Sequence, residues 1–112
     1  MKQYVLGVDF GTAAVRAVLV DTANGAELAS AVSYYQRWKK GLYCQPAQNQ
    51  FRQHPLDYIE SLEDAVKRTL AELPGIDPAY VVAITVDTTG STPVAVDQSG
   101  TPLALLHDFA EH

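Results

Sequence analysis

Asp9 and Asp87 each close a short apolar strand, and each opens a loop of threonine and glycine. The two strings are Val8-Asp9-Phe10-Gly11-Thr12 and Val86-Asp87-Thr88-Thr89-Gly90-Ser91-Thr92. A carboxylate at the end of a buried strand is costly unless a cation or hydrogen-bond donors meet it. The glycine beside the first one lets backbone N–H groups approach an anion that a side chain would hold away. Carboxylate for a cation and bare amides for an anion are the parts of a metal–phosphate site. Magnesium keeps several waters and takes only one or two carboxylates, so Asp9 alone is chemically sufficient. The plainer alternative is a hairpin turn with Asp as an ordinary turn residue. For the second loop, the hydroxyls and bare backbone suit a polyhydroxylated substrate, against the plainer reading of a polar turn between strands. Structural context decides between such readings.

The elements that must position these loops are legible from periodicity and turn signals. Residues 4–9 and 14–21 are apolar and β-branched on both faces, which predicts central strands covered on both sides. Their short connection, with Gly11 in it, predicts an antiparallel hairpin. Asn24-Gly25 is a second turn signal, and a third strand is expected near 27–35. Residues 36–54 lack periodicity and are expected to form an ordered insert or loop. Tyr34, Tyr35 and Trp38 are expected to pack that insert. Pro55 can open a helix, because its missing N–H costs nothing there. From it Ile59, Leu62, Val66, Leu70 and Leu73 recur at spacings of 3, 4, 4 and 3, one apolar stripe. Acidic residues early and Lys67 and Arg68 late suit the helix dipole, and Pro74-Gly75 ends it. A fourth strand is expected at 81–87, a fifth near 92–97, and a turn at Ser99-Gly100 leading to a short sixth strand or extended tail.

Three meander strands followed by a helical crossover place the fourth strand parallel to the first. The fold class is therefore α/β: a ribonuclease-H-like half-domain with a mixed sheet of three antiparallel meander strands plus a parallel strand. In that arrangement Asp9 and Asp87 emerge at the same sheet end, where open α/β sheets bind ligands.

Composition narrows the function. The chain has 112 residues, enough for one small domain, and its 47% hydrophobic and 19% charged content is that of a soluble globular protein. A net charge of −5 argues against nucleic acid. Arg37, Lys39 and Lys40 form the one basic cluster and read as a solvated surface. Cys44 is the one cysteine, which excludes an intrachain disulfide and fits a reducing cytoplasm. No apolar run suggests a signal peptide or a membrane span, so no membrane partner is expected. His54, His107 and His112 match no metal-ligand spacing. The end of the chain, from Leu103 to His112, offers no closing element and reads as cut from something longer.

The Asp9-to-Thr12 string resembles the first phosphate loop of the actin-like ATPase superfamily, and the whole chain resembles the sugar kinases of its FGGY family. Within that family, Tyr35-Gln36-Arg37-Trp38-Lys39-Lys40-Gly41, Cys44, Asn49-Gln50-Phe51-Arg52-Gln53-His54-Pro55, Asp57-Tyr58-Ile59-Glu60-Ser61 and Val86 to Pro93 are similar to the bacterial kinases of L-ribulose. The resemblance implies ATP and Mg2+ as cofactors, with Asp9 holding the metal through water. It implies that Gly11, Thr12, Ala13 and Arg16 contact ATP phosphates. It also implies that Thr89, Gly90 and Ser91 contact the ketopentose, L-ribulose, whose C5 hydroxyl is phosphorylated in L-arabinose catabolism. Relatives often carry Gln, Arg, His or Glu in that loop, so recognition here should differ, through backbone contacts. Residues 1–112 would be the N-terminal part of kinase domain I, inactive alone, with the catalytic base, adenine pocket and second phosphate loop beyond residue 112. A cytoplasmic location follows from the resemblance, and a homo-oligomer through the full-length enzyme stays open. So do a kinase of xylulose or D-ribulose, and a non-catalytic actin-like domain.

Overall fold

A computed structural model of the chain describes residues 2–90 and 93–109. The apolar strands form as expected: β1 is Tyr4–Phe10, β2 is Ala14–Asp21 and β3 is Glu27–Tyr34. Gly11 turns the first hairpin, its N–H donating to the Ala14 carbonyl at 2.8 Å. A Cβ on Gly11 would lie 3.3 Å from that same oxygen, a tight contact that the turn would have to relieve by a few tenths of an ångström. Gly25, at φ +73°, supplies the left-handed residue of the second turn.

The insert is ordered. Helix α1 covers Gln36–Lys39, and a minimal hairpin pairs β4 (Cys44–Gln45) with β5 (Gln50–Phe51) around a 3-10 turn at Pro46–Gln48. Helix α2 runs Pro55–Ala71 and returns the chain to β6, Val81–Thr88. The four long strands lie in the order β3-β2-β1-β6, with β1 antiparallel to β2 and parallel to β6. This is the mixed ribonuclease-H-like half-sheet expected from the element order. In the register Asp9 stands opposite Arg16 on one side and Asp87 on the other.

Several expectations are corrected. Only one face of the sheet is covered: Leu6, Val8, Val15, Ala17, Leu19, Ala29 and Ala31 are buried beneath α2, whereas Val5, Val18 and Val20 opposite them are only partly buried. No described element lies on that second face. The predicted stripe packs against the core from Leu62 to Leu73 but not at its start, Ile59. The fully buried line of the helix is Asp57, Ser61, Ala65 and Thr69, with Leu62, Val66, Leu70 and Leu73 half-buried beside it and Ile59 49% exposed. The small side chains Ser61 and Ala65 let the helix settle closely over β2 and β3. The larger residues then tilt toward β6, where they leave a groove with Leu6, Val82 and Ile84.

The fifth strand does not form. Residues 91 and 92 lie outside the described residues, and 93–102 hold a single bridge, Val96 to Pro102. Asp97 spends its hydrogen bonds on a local turn instead: its carboxylate accepts from Ser99 N and Thr101 N, both at 2.9 Å. Pro93 and Pro102 bound the segment and donate no ladder hydrogen bond. In place of a sixth strand, the chain makes 3-10 turns at Leu103–Leu105 and His107–Phe109. Among the described residues no helix is long and apolar enough to cross a membrane.

Arg37 is not a solvated cation. Its guanidinium donates to Asp57 at 3.1 Å and to Glu60 at 2.6 Å, and the Arg37 and Trp38 amides, each at 3.2 Å, add two more bonds to the Asp57 carboxylate. Asp57, 1% exposed, thus welds the insert to the first turn of α2. Asp57→Ala should lower the unfolding free energy by about 2–3 kcal/mol, because hydrogen bonds to a charged group are lost and donors are stranded. Urea unfolding of the two proteins measures it; a difference below about 0.5 kcal/mol would remove this carboxylate from the frame.

Candidate phosphate and sugar site

The parallel pairing of β1 and β6 decides which predicted residues meet. Asp9, Arg16 and Asp87 lie side by side on three adjacent strands and line a shallow recess of about 310 Å³ on the uncovered face. Both Asp9 and Arg16 are exposed, so the Asp9 carboxylate is presented at the surface rather than paid for by burial. Two neighbouring carboxylates repel each other, and Arg16 flanks only Asp9. The arrangement suits a further cation, and the exposed hard oxygens of Asp9 suit Mg2+.

Gly11, Thr12 and Ala13 form the turn beyond Asp9. The carbonyls of this loop all point into the protein. Gly11 O accepts from the Tyr35 hydroxyl at 2.9 Å, Thr12 O from Gln53 Nε2 at 2.6 Å, and Ala13 O from the Tyr35 amide at 3.0 Å. The Gly11 amide is itself engaged with Ala14 O. The amides of Thr12 and Ala13 donate to no acceptor among the described residues, and both residues are exposed.

The loop after β6 is tied directly to this turn, with Thr89 N donating to Phe10 O at 3.2 Å. Thr12 and Thr89 share the rim of a larger cavity, about 830 Å³, whose walls are the insert (Trp38, Gln53, His54) and the segment from Pro93 to Ala104. Gly90 is exposed, and a Cβ there would have open space within 4 Å. Ser91 lies outside the described residues. The predicted residues thus divide between a recess holding Asp9 and Arg16 and a cavity edged by Thr12 and Thr89, with the Gly11–Ala13 turn between them.

Three contributors have no sequence signal that ties them to the loop: Tyr35, Gln53 and Tyr58. Tyr35 packs as its sequence context suggests, fully buried and edge-on to Tyr58 with centroids 5.4 Å apart. Its phenol also reaches the loop. Burial first, then the charges of Tyr58, Asp9 and Asp57, push its pKa up to about 12, so it stays a donor across the physiological range. No periodicity or short spacing links these residues to Gly11, which lies 24 positions from Tyr35.

His54 caps α2 with an imidazole in place of the usual hydroxyl or carboxamide: Nδ1 accepts from Leu56 N at 3.1 Å. Burial, reinforced by the Arg37 cation, lowers its pKa. The folded protein therefore binds this proton more weakly than the unfolded chain does. Stability present above the unfolded value, about 6.5, should be lost as pH falls below it. One such group contributes at most about 1.4 kcal/mol per pH unit. His54→Asn keeps a cap acceptor without the titration, and should flatten the difference between urea unfolding at pH 7.5 and at pH 5.5.

Comparison with known proteins matches this chain to a family. The model for the FGGY family of carbohydrate kinases, N-terminal domain, matches residues 4–106, and the chain belongs to that family. A protein named ribulokinase from Vibrio parahaemolyticus serotype O3:K6 is 53% identical over 111 residues, covering 99% of this chain and 19% of that protein. Another, from Mycolicibacterium smegmatis, is 41% identical over 118 residues, covering 97% of this chain and 20% of that protein. The chain spans about a fifth of the length of the curated relatives it matches. Among solved structures, a xyloylose kinase from Brucella ovis superposes with a TM-score of 0.75 at 21% identity, over 90% of this chain and 20% of the other. A gluconate kinase from Lactobacillus acidophilus gives 0.72 at 21% identity, over 92% and 19%. These two likenesses establish the fold.

Proposed function

We propose that the chain is the N-terminal part of domain I of an ATP-dependent ribulokinase, which phosphorylates L-ribulose at its C5 hydroxyl in L-arabinose catabolism. The observation that carries the reading is the 53% identity to a protein named ribulokinase, over a span that takes in both aspartate loops. Residues 1–112 then supply one phosphate loop and one wall of the sugar site. The catalytic base, the adenine pocket and the second phosphate loop belong to the remainder of the kinase, in keeping with the fifth of its relatives that this chain spans. The enzyme is cytoplasmic and uses ATP with Mg2+, and any homo-oligomer forms through the full-length protein.

In this reading Asp9 holds Mg2+ through water, a role supported by its exposure beside Asp87. Bound Mg2+ supplies positive charge to the phosphates during transfer. The outward amides of Thr12 and Ala13 orient phosphate oxygens, the bare Gly11 lets them approach, and Arg16 adds positive charge from the neighbouring strand. Thr89, Gly90 and Ser91 are assigned as the sugar contacts, and the open space beside Gly90 leaves room for substrate carbons.

Steady-state kinetics of the full-length enzyme with L-ribulose, D-ribulose and D-xylulose tests the substrate, and the highest kcat/KM should fall to L-ribulose. Asp9→Asn should lower kcat by about 100-fold or more with an unchanged circular dichroism spectrum, as expected for a lost electrostatic contact to the reacting phosphate. Near-normal turnover at every magnesium concentration would sink the metal assignment.

A second variant addresses the sugar loop. Gly90→Leu should raise KM for L-ribulose by about tenfold and leave KM for ATP within about twofold, because a side chain there takes up substrate space and touches nothing in the phosphate loop. Equal rises for both substrates would place Gly90 outside the pocket.

A further inference from the structure

The carbonyls of five consecutive residues, Phe10 to Ala14, all accept hydrogen bonds. Two of these bonds come from side chains remote in sequence. Tyr35 donates to Gly11 O, and Gln53 donates to Thr12 O. Gln53 is held in turn by the Tyr58 hydroxyl, which donates to Gln53 Oε1 and leaves the amide nitrogen aimed at the loop. The tyrosine rings are fixed by edge-to-face contacts, Phe10 on Tyr58 at 5.9 Å and Tyr35 on Tyr58 at 5.4 Å. Each ring is therefore positioned by another before its hydroxyl is used.

A peptide unit has its C=O and N–H on opposite sides, so anchoring a carbonyl inward turns the following amide outward. Fixing Gly11 O directs Thr12 N, and fixing Thr12 O directs Ala13 N. Those are the two amides that donate to nothing among the described residues. Resting on the kinase reading above, we infer that Tyr35, Gln53 and Tyr58 are positioning residues for nucleotide. They form a three-membered buttress that presets the Thr12 and Ala13 amides toward phosphate oxygens. Gln53 also lines the large cavity, so the insert that walls the cavity is the element that braces the phosphate loop.

The buttress acts on nucleotide through the loop it holds, so its signature is selective loss of nucleotide affinity. In the full-length enzyme, Gln53→Leu removes both hydrogen bonds of the relay while retaining its bulk. Tyr35→Phe removes one donor while retaining the buried ring, and serves as the second probe should Gln53→Leu fold poorly. Each should raise KM for Mg-ATP about tenfold and weaken binding of a non-hydrolysable ATP analogue by a similar factor in calorimetry. KM for the sugar should stay within about twofold and the melting midpoint within a few degrees. Tyr58→Phe, which leaves Gln53 present but unheld, should fall between wild type and Gln53→Leu. Unchanged nucleotide binding in Gln53→Leu and Tyr35→Phe overturns the inference, as does a joint rise of both KM values with a lowered melting midpoint. The two failures are distinguishable: preference of the wild type for another sugar overturns the assignment of L-ribulose, whereas wild-type nucleotide affinity in both variants overturns the buttress.

Discussion

A parallel strand pair cannot be closed by a tight turn, and that constraint organises this chain. For β6 to lie beside β1 in the same direction, the polypeptide must leave the sheet, cross one face and return. Helix α2 makes the crossing, and the sheet order β3-β2-β1-β6 results. The pairing carries Asp87 to the side of Asp9 and lets Thr89 bond to the end of β1. Without it the two aspartate loops would have no reason to be neighbours. The crossing in turn needs a fixed point of departure, which Asp57 provides by binding the insert to the first turn of the helix.

The fold was largely readable because its determinants are local or periodic. The β-branched runs of β1 and β2, the Asn24-Gly25 turn and Pro55 each report their own structure. The failures share a cause as well. The stripe through Ile59 is a true apolar face, but which part of it is buried depends on how closely Ser61 and Ala65 let α2 approach the sheet, a property of the helix and two strands together. The strand expected near 92–97 has suitable residues for pairing, yet Asp97 offers its neighbours a nearer set of hydrogen bonds. Tertiary and very local competition decided these cases, and neither leaves a periodic trace.

The candidate site divides along the same line. Asp9, Gly11 and Thr12 form a short motif whose chemistry can be read from residue type. The groups that hold the motif in place, Tyr35, Gln53 and Tyr58, are drawn from the end of β3, the insert and α2. Their residue types show a capacity to donate a hydrogen bond but not that the acceptor is the phosphate loop. Arg37 shows the converse: a residue that looked like surface charge is committed to a buried carboxylate. Residue type alone shows what a group can do, and only the fold shows which partner it has.

Trp38 is the one tryptophan in the chain, and it packs against the cluster of Val8, Val15 and Tyr35 while forming part of the cavity wall beside Gln53. Indole emission shifts with the polarity and order of its surroundings. Indole emission from this chain therefore originates at a single place, between the buried face of the sheet and the cavity shared with Thr12. Its colour and intensity report the hydration of that boundary, with no label attached and no second indole in the chain to blur the signal.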